Sequence, residues 1–406
     1  MMGLLLIAVT LVKLVLAAFW GGTADIPQTL AQAQALLAGR DLLDPTSTGG
    51  NPSFFPIGHY AIAAGCLWLS QLTRMPFSFW IKTPAIFADL GVSWLLRSMP
   101  RGGNKAAFLY IVNPVTFLLS VYHGQLHTVA MAAALLAYWF ADRGWSGRSG
   151  WMLGVAASVR QHFAVLLLPL IIRPRANRAR LTLACIATAL VINLPLFTSA
   201  HLVRILFPTW TYGSWGYAML FQHSPQLLGL AGGHGPSILT TLNQALHTYG
   251  PLFYLLWAAG FVIWTIRSHS DDPWAAALLF LLGIYVISPG FGVQWLIWVV
   301  PFWLMVSYRQ AAGYSLIAGA FLAGSYWQWS LNAKYGIDAL TANLHQLSRS
   351  DLAGVVLVGV CGALTWLYAA QAAWRLARAP AAKPRRSRSP QLPLPQPAAE
   401  MFGEGG

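Results

Sequence analysis

Charged side chains are scarce in this sequence, and their scarcity indicates the class of protein. Only 9% of the 406 residues are charged, compared with roughly 25% in a typical soluble domain. Hydrophobic residues make up 57% of the chain, and apolar runs recur along nearly its whole length between short basic or Gly- and Pro-containing breaks. This pattern predicts an all-α, polytopic integral membrane bundle and argues against a soluble domain with one anchor.

Cysteine is rarer still, with three residues in the chain. Cys66, Cys185 and Cys361 lie far apart, each inside an apolar run, and no CxxC or Cys/His spacing occurs. The sequence therefore implies neither a disulfide framework nor a zinc site.

The net charge of +14 comes from basic residues at predicted helix ends and in the tail. Membrane topology explains that charge, so no nucleic-acid partner is expected.

Basic clusters predict the topology. They fall at 97–105, 143–148, 173–180 and beyond 375, which places these segments in the cytoplasm and the loops 23–53 and 198–249 outside. We expect about ten to twelve spans, with both termini cytoplasmic and interfacial helices in the large first external loop. The first run, 3–20, lacks a basic segment before it and predicts a retained helix. Residues 1–378 form the predicted membrane domain, and 379–406 a disordered, basic, Pro-rich cytoplasmic tail.

Several finer expectations follow from the breaks. The sequence predicts one span in each of three segments, 106–122, 250–266 and 293–308. It predicts an embedded or re-entrant helix at the outer face for 54–72. Residues 149–172 lie between two inner clusters, so we expect a hairpin broken near 158–160. Pro27 can begin an interfacial helix that ends at Gly39.

Acidic residues number only eleven, and three of them, Asp25, Asp41 and Asp44, lie in the first loop. Solvation alone explains few carboxylates in so acid-poor a chain, which favours a functional role for Asp25. The alternative for Asp25 is a negative charge placed at the start of the Pro27 helix, where the macrodipole favours it. Asp41 and Asp44 read as turn residues beside Pro45.

Other polar residues inside apolar runs are candidate functional residues, and the sequence supports some of them better than others. Arg160 lies mid-run, where an ionisable residue costs roughly 2.5–3.5 kcal/mol to insert, so a functional role is favoured. His123 and His127 share a helical spacing, yet no third ligand is placed, and neither a metal site nor a cofactor is expected. Lys13 is the predicted partner of Asp89. Three tryptophans flank the expected external cavity, where a sugar can stack on them: Trp20, Trp210 and Trp215.

A set of ordered motifs resembles the GT-C superfamily of membrane glycosyltransferases, especially its bacterial mannosyltransferase-like and GPI-mannosyltransferase-like branches. The motifs are Thr23-Ala-Asp25-Ile, Leu36-Leu-Ala-Gly39-Arg-Asp41, Asn51-Pro, Phe55-Pro56, Lys82-Thr-Pro-Ala-Ile-Phe-Ala-Asp89, Asn113-Pro114, His123-Gly-Gln125, Gly154-Val-Ala-Ala-Ser-Val-Arg160-Gln161, and Ser288-Pro289 to Gln294-Trp with Pro301-Phe. They cover roughly residues 1 to 310.

The resemblance implies a reaction and a site. It implies transfer of a hexose, mannose first, from a polyprenyl-phosphate sugar to a lipid-linked or glycan acceptor in a lipid environment. Asp25 matches the catalytic base of the family, and Arg160 with Gln161 its donor-phosphate site. The implied substrate-binding residues are His123, Gln125, His127 and Gln294. His127 stands where the family commonly has an acid, so a mechanism with two carboxylates is not supported.

Chemistry agrees with this assignment. Inverting transfer from a phosphate needs one base and a cation for the leaving group, but no acid. The absence of an Asn-x-Ser/Thr sequon with a permitted middle residue suits a bacterial plasma membrane and leaves the endoplasmic reticulum open. A secondary transporter, or a lipid-linked sugar flippase or polymerase, remains the alternative, although a transporter commonly shows internal repeats that this chain lacks.

Overall fold

The computed structural model describes residues 1–42, 44, 46, 48, 55–172, 177–196, 216–217, 237–268, 272–335 and 348–378. Regular structure in these ranges is helical and includes no β-strand, which confirms the all-α prediction for this part of the chain. Most of the second predicted external loop, the tail 379–406, and the tryptophans Trp210 and Trp215 lie outside the described residues.

The described residues form fifteen α-helices. In chain order they are α1 Met2–Phe19, α2 Asp25–Leu37, α3 Ile57–Thr73, α4 Phe77–Ser98, α5 Gly103–Ile111, α6 Pro114–Phe117, α7 His127–Asp142, α8 Ser146–Val159, α9 Leu167–Ile171, α10 Arg178–Asn193, α11 Ser237–Ser268, α12 Pro273–Ile287, α13 Val300–Val306, α14 Tyr308–Tyr335 and α15 Arg349–Arg378. A π-helical turn, Leu118–His123, follows α6, and 3-10 turns occupy Gln161–Leu166, Leu194–Leu196 and Val293–Ile297.

Three of these helices contain segments that are long and apolar enough to cross a membrane. They are α1, the Thr248–Ser268 part of α11 and the Leu357–Arg378 part of α15. A fourth candidate is the pair formed by α5 and the Pro114–His123 segment, which is bent by 44°. The described chain is therefore an all-helical protein with apolar helices compatible with a membrane.

Two of the predicted spans are not single regular helices. The 106–122 run is interrupted after α5 because Pro114 has no amide hydrogen to continue the helix, and the Asn113 side chain accepts from the Val115 amide to begin α6. The 293–308 run is divided into a 3-10 turn and α13, with Pro301 at the start of α13. In addition, α11 begins at Ser237, well before the predicted start at 250.

Other local predictions are confirmed. Helix α2 contains Pro27 in its first turn and ends before Gly39. The expected break near 158–160 occurs at Arg160, whose backbone is extended between α8 and the following 3-10 turn. Lys13 is the partner of Asp89, with Nζ 2.7 Å from Oδ2. The predicted 54–72 helix corresponds to α3, which is uninterrupted from 57 to 73, and its place at the outer face stays a prediction.

Small residues let α8 lie very close to α10. A Cβ atom at Gly150 would lie 2.1 Å from the Leu181 carbonyl oxygen, and one at Gly154 would lie 2.6 Å from that of Cys185. Glycines four residues apart on one helix face permit this approach of two backbones. The close contact fixes the end of α8, and therefore the position of Arg160.

Asn193, at the end of α10, ties the beginning of α3 to the end of α8. Its Oδ1 accepts from the Ile57 amide at 2.9 Å, and its Nδ2 donates to Ser158 Oγ at 3.1 Å. Gly58 packs against the Ser158 carbonyl, where a Cβ atom would lie 2.4 Å away. These contacts bring the beginning of α3 beside Arg160.

Candidate functional site

The turn between the π-helical segment and α7 carries two of the predicted site residues. Gly124 has a φ of +77°, a left-handed conformation that glycine adopts at little cost, and its amide donates to the Leu119 carbonyl to end the π-helical turn. A Cβ atom at Gly124 would lie 2.9 Å from Ile26 Cδ1. The tight turn places His123 and Gln125 against the beginning of α2.

Both residues donate to the same carboxylate oxygen of Asp25. His123 Nε2 lies 3.0 Å from Asp25 Oδ2, and Gln125 Nε2 donates to that oxygen at 2.6 Å. The Asp25 side chain keeps 39% of its surface exposed. Within the described part of the chain Oδ1 makes no hydrogen bond, so it is available to accept a proton from a bound molecule.

Close backbone packing holds Asp25 in this position. Gly22 has a φ of +97°, and a Cβ atom there would lie 2.9 Å from the Tyr122 carbonyl oxygen. Thr23 Oγ1 donates to the His123 carbonyl at 3.2 Å. The segment that carries Asp25 and the turn that carries His123 therefore form one unit.

Lys82 supports this unit from α4. Its buried ammonium group donates to the carbonyl oxygens of Trp20 and Ala17 at the end of α1, the latter at 3.4 Å. A cation at this place satisfies carbonyl groups that lack a partner in the helix and complements the helix dipole. The contacts of Lys82 with α1 are therefore structural.

The helix-start explanation for Asp25 accounts for only part of what is seen. Asp25 does lie in the first turn of α2, where the dipole favours an anion. Its carboxylate, however, caps no amide of that helix and instead accepts from His123 and Gln125. The direction of the side chain is therefore set by the contacts with the turn.

Arg160 is connected to Asp25 through Gln125. The guanidinium is completely buried, and its Nη2 donates to Gln125 Oε1 while Gln125 Nε2 donates to Asp25. The amide orientation follows from this pattern, because a carboxylate only accepts and a guanidinium only donates. The Arg160 guanidinium also lies over the Phe55 ring, 3.8 Å from its centroid, in a cation–π contact.

These contacts set the protonation state of Asp25. Burial, the largest single influence, raises the pKa of its carboxyl group. The hydrogen bond from His123, and the charge of that ring when it is protonated, lower the pKa, as do the bond from Gln125 and the charge of Arg160. The net result is a pKa of about 2 instead of 3.8. Asp25 is therefore ionised at neutral pH and can accept a proton.

Three predicted site residues make no hydrogen bond with Asp25. Gln161 is buried at the start of the 3-10 turn after Arg160. His127 is buried at the start of α7, and its Nδ1 accepts from the Trp298 indole at 3.1 Å. The Gln294 side chain folds back over Gly292, where a Cβ atom would lie 2.4 Å from its amide nitrogen. Their roles in substrate binding stay predictions.

Sequence reasoning missed Tyr326 and assigned no role to Phe55. Tyr326 Oη, from α14, lies 2.9 Å from His123 Nδ1. A tyrosine in an apolar run is too common to give a signal, and only the fold brings it to His123. Phe55 stood in a quoted motif, but its contact with Arg160 depends on the packing of α3 against α8. Among the described residues no group of three or more His, Cys, Asp or Glu side chains is placed to hold a metal ion.

Comparison of the chain with protein-family models and with curated proteins finds no match. The resemblance to GT-C glycosyltransferases therefore rests on the motifs themselves. What the geometry adds is that residues from four of those motifs, Asp25, Phe55, Gln125 and Arg160, are joined by direct contacts.

Proposed function

We propose that this protein is a membrane glycosyltransferase that moves a hexose from a polyprenyl-phosphate sugar to an acceptor hydroxyl, with Asp25 as the general base. The observation that carries the proposal is the bridge from Asp25 through Gln125 to Arg160. It couples an ionised carboxylate with an available oxygen to a buried guanidinium. The proposal takes mannose as the sugar and a lipid-linked or glycan hydroxyl as the acceptor.

The two ends of this bridge match the two charges that the reaction handles. The acceptor oxygen attacks the anomeric carbon while its proton passes to Asp25 Oδ1, and the bond from that carbon to the phosphate oxygen breaks. The phosphate leaves with the electron pair as an anion, next to Arg160, whose planar group donates well to phosphate oxygens. One displacement inverts the configuration, and a single carboxylate is sufficient.

The low basicity of Asp25 in the resting protein is compatible with this role. A carboxyl group whose pKa is about 2 is a weak base, and the Arg160 charge is one cause of that value. A donor phosphate bound at Arg160 offsets this charge and so raises the pKa of Asp25. The acceptor hydroxyl also becomes more acidic as its bond to the anomeric carbon forms. Donor binding therefore prepares the base before the proton moves.

The proposed setting is the outer face of a bacterial plasma membrane. We place the loop that contains α2 outside, both termini in the cytoplasm, and about ten to twelve membrane crossings along 1–378. What supports this arrangement is the alternation of basic clusters with apolar segments in the sequence. In this arrangement α2 lies along the interface, where a polyprenyl phosphate has its headgroup.

The test is sugar transfer by the purified protein in detergent. Polyprenyl-phosphate mannose, glucose and arabinose are supplied in turn as radiolabelled donors. Asp25→Asn keeps the shape of the side chain but removes its basicity, so transfer should fall by about 10²–10⁴-fold, while donor binding persists. Asp44→Asn is the matched control, because Asp44 accepts from the Thr46 amide in a turn of the same loop.

Three outcomes contradict the proposal. Undiminished transfer by folded Asp25→Asn means that the base lies elsewhere. If the wild-type protein binds the lipid-linked sugars, transfers none of them, and moves them across proteoliposome membranes, the flippase alternative replaces the transferase. Transport of free solutes in the same vesicles indicates the secondary transporter.

A further inference from the structure

The imidazole of His123 is held at both ring nitrogens by residues from distant parts of the chain. Its Nε2 lies 3.0 Å from Asp25 Oδ2 on α2, and its Nδ1 lies 2.9 Å from Tyr326 Oη on α14. His123 is completely buried and Tyr326 nearly so. A continuous chain of hydrogen bonds therefore runs from α14 to the available carboxylate.

Donor and acceptor chemistry gives this chain a direction. The Asp25 carboxylate only accepts, so the proton of the neutral imidazole is on Nε2 and the lone pair is on Nδ1. The Tyr326 hydroxyl then donates to Nδ1. If that partner is lost, Nδ1 is a buried acceptor without a hydrogen bond, which favours rotation of the ring or the other tautomer. In the other tautomer a nitrogen lone pair faces the carboxylate, and the bond to Asp25 is lost.

We propose that Tyr326 is a positioning residue for the transfer reaction, because it holds His123 in the orientation and tautomer that donate to Asp25. This inference rests on the proposed function. It adds a role for α14, a helix in which none of the sequence motifs lies. Tyr326 touches neither Asp25 nor Arg160 by any hydrogen bond, so it acts through His123.

The ring of Tyr326 has a separate structural role. It contacts the rings of Tyr122 and Trp329, with centroid distances of 4.9 and 5.4 Å. Tyr326→Phe keeps these ring contacts and removes only the hydroxyl. Tyr122→Phe is the matched control, because it removes a neighbouring hydroxyl that makes no hydrogen bond with His123.

The first test separates turnover from binding. Tyr326→Phe should lower kcat about 5- to 30-fold, the range expected for one hydrogen bond and the strain of its loss, with an unchanged KM for the lipid donor. Tyr122→Phe should keep both parameters. Equal kcat values for the wild type and Tyr326→Phe overturn the inference and leave the proposed function in place.

The second test is a double-mutant cycle with His123→Phe, measured by turnover and by the midpoint of thermal unfolding in detergent. With His123 replaced, Tyr326→Phe should change kcat less than 2-fold, because its effect passes through the imidazole. Additive effects on both measurements overturn the inference. If the wild type transfers no sugar, the proposed function fails, and the unfolding cycle still decides whether Tyr326 and His123 are coupled.

Discussion

Arg160 and Asp25 are separated by a single side chain, and the amide of Gln125 fills that place with one group facing each. The amide oxygen accepts from the guanidinium, and the amide nitrogen donates to the carboxylate. An amide can donate and accept at the same time without a charge of its own. The geometry therefore couples the two charges while it keeps them apart.

Substitution of Gln125 should show separately how its amide affects the transfer rate and how it affects donor binding. Gln125→Leu removes both hydrogen bonds, and we expect kcat/KM to fall about 10- to 100-fold because the carboxylate and the guanidinium lose their orientation. Gln125→Glu keeps an acceptor for Arg160 but places a second carboxylate against Asp25. Because this carboxylate adds negative charge where the donor phosphate binds, donor affinity should fall further than with leucine. Transfer rates and donor binding measure the two effects. Gln34→Leu, on the exposed side of α2, is the control.

The ranking of the two Gln125 variants is the sensitive part of this prediction. If Gln125→Glu binds donor better than Gln125→Leu, the phosphate is not at Arg160. Near wild-type activity in both variants means that the bridge has no part in the reaction.

Substitution of Arg160 tests the phosphate site itself. Arg160→Ala should raise the dissociation constant of the lipid donor about 100-fold, because a buried, charge-assisted contact is lost, and Arg160→Lys should restore only part of it because lysine cannot donate bidentately. Binding of radiolabelled donor to purified protein gives these values. Arg143→Ala is a matched control, since Arg143 also stacks on an aromatic ring, that of Trp139 at 3.4 Å, but at another helix end. Equal affinity of the wild type and Arg160→Ala contradicts the phosphate assignment.

The sequence predicted those parts of the site that depend on rare residues. An acid in an acid-poor chain and an arginine inside an apolar run stand out, so Asp25 and Arg160 were found, as was the Lys13 partner of Asp89. Contacts of ordinary residues depend on how helices pack, and composition does not encode that packing. Tyr326 reaches His123 only because α14 lies beside the π-helical turn. The 3-10 turn at Val293–Ile297 was missed because apolar periodicity does not distinguish it from a short helix.

The proposed topology can be tested by labelling of single cysteines. Arg40→Cys should react with a membrane-impermeant maleimide in intact cells, because the proposed topology places position 40 in the first external loop. Arg101→Cys should react only after permeabilisation, because the proposed topology places this basic cluster in the cytoplasm. Both positions are exposed in the fold, so burial does not prevent their reaction. The three native cysteines are first replaced by alanine or serine. Labelling of 101 and protection of 40 in intact cells contradicts the arrangement.

For the buried ion pair of Lys13 and Asp89, removal of one charge should destabilise the protein more than removal of both. Both side chains have no exposed surface, and the pair joins α1 to α4, the helix that also supports the end of α1 through Lys82. Lys13→Met leaves the Asp89 carboxylate buried without its cation, which should cost about 3–5 kcal/mol of unfolding free energy. The double variant Lys13→Met with Asp89→Leu removes both charges and should recover most of that loss. Chemical unfolding in detergent gives the unfolding free energies of the wild type, Lys13→Met and the double variant.

The exposed ion pair of Arg101 and Asp272 is the matched control for this prediction. Its side chains keep 53% and 28% of their surface exposed, so water solvates either charge when the other is removed. Arg101→Gln should therefore cost less than about 1 kcal/mol. If Lys13→Met costs no more than Arg101→Gln, or if the double variant is less stable than Lys13→Met, the Lys13–Asp89 pair does not hold α1 in place. The position of Asp25 must then depend on Lys82, on the glycine contacts and on the hydrogen bonds with the turn that carries His123 and Gln125.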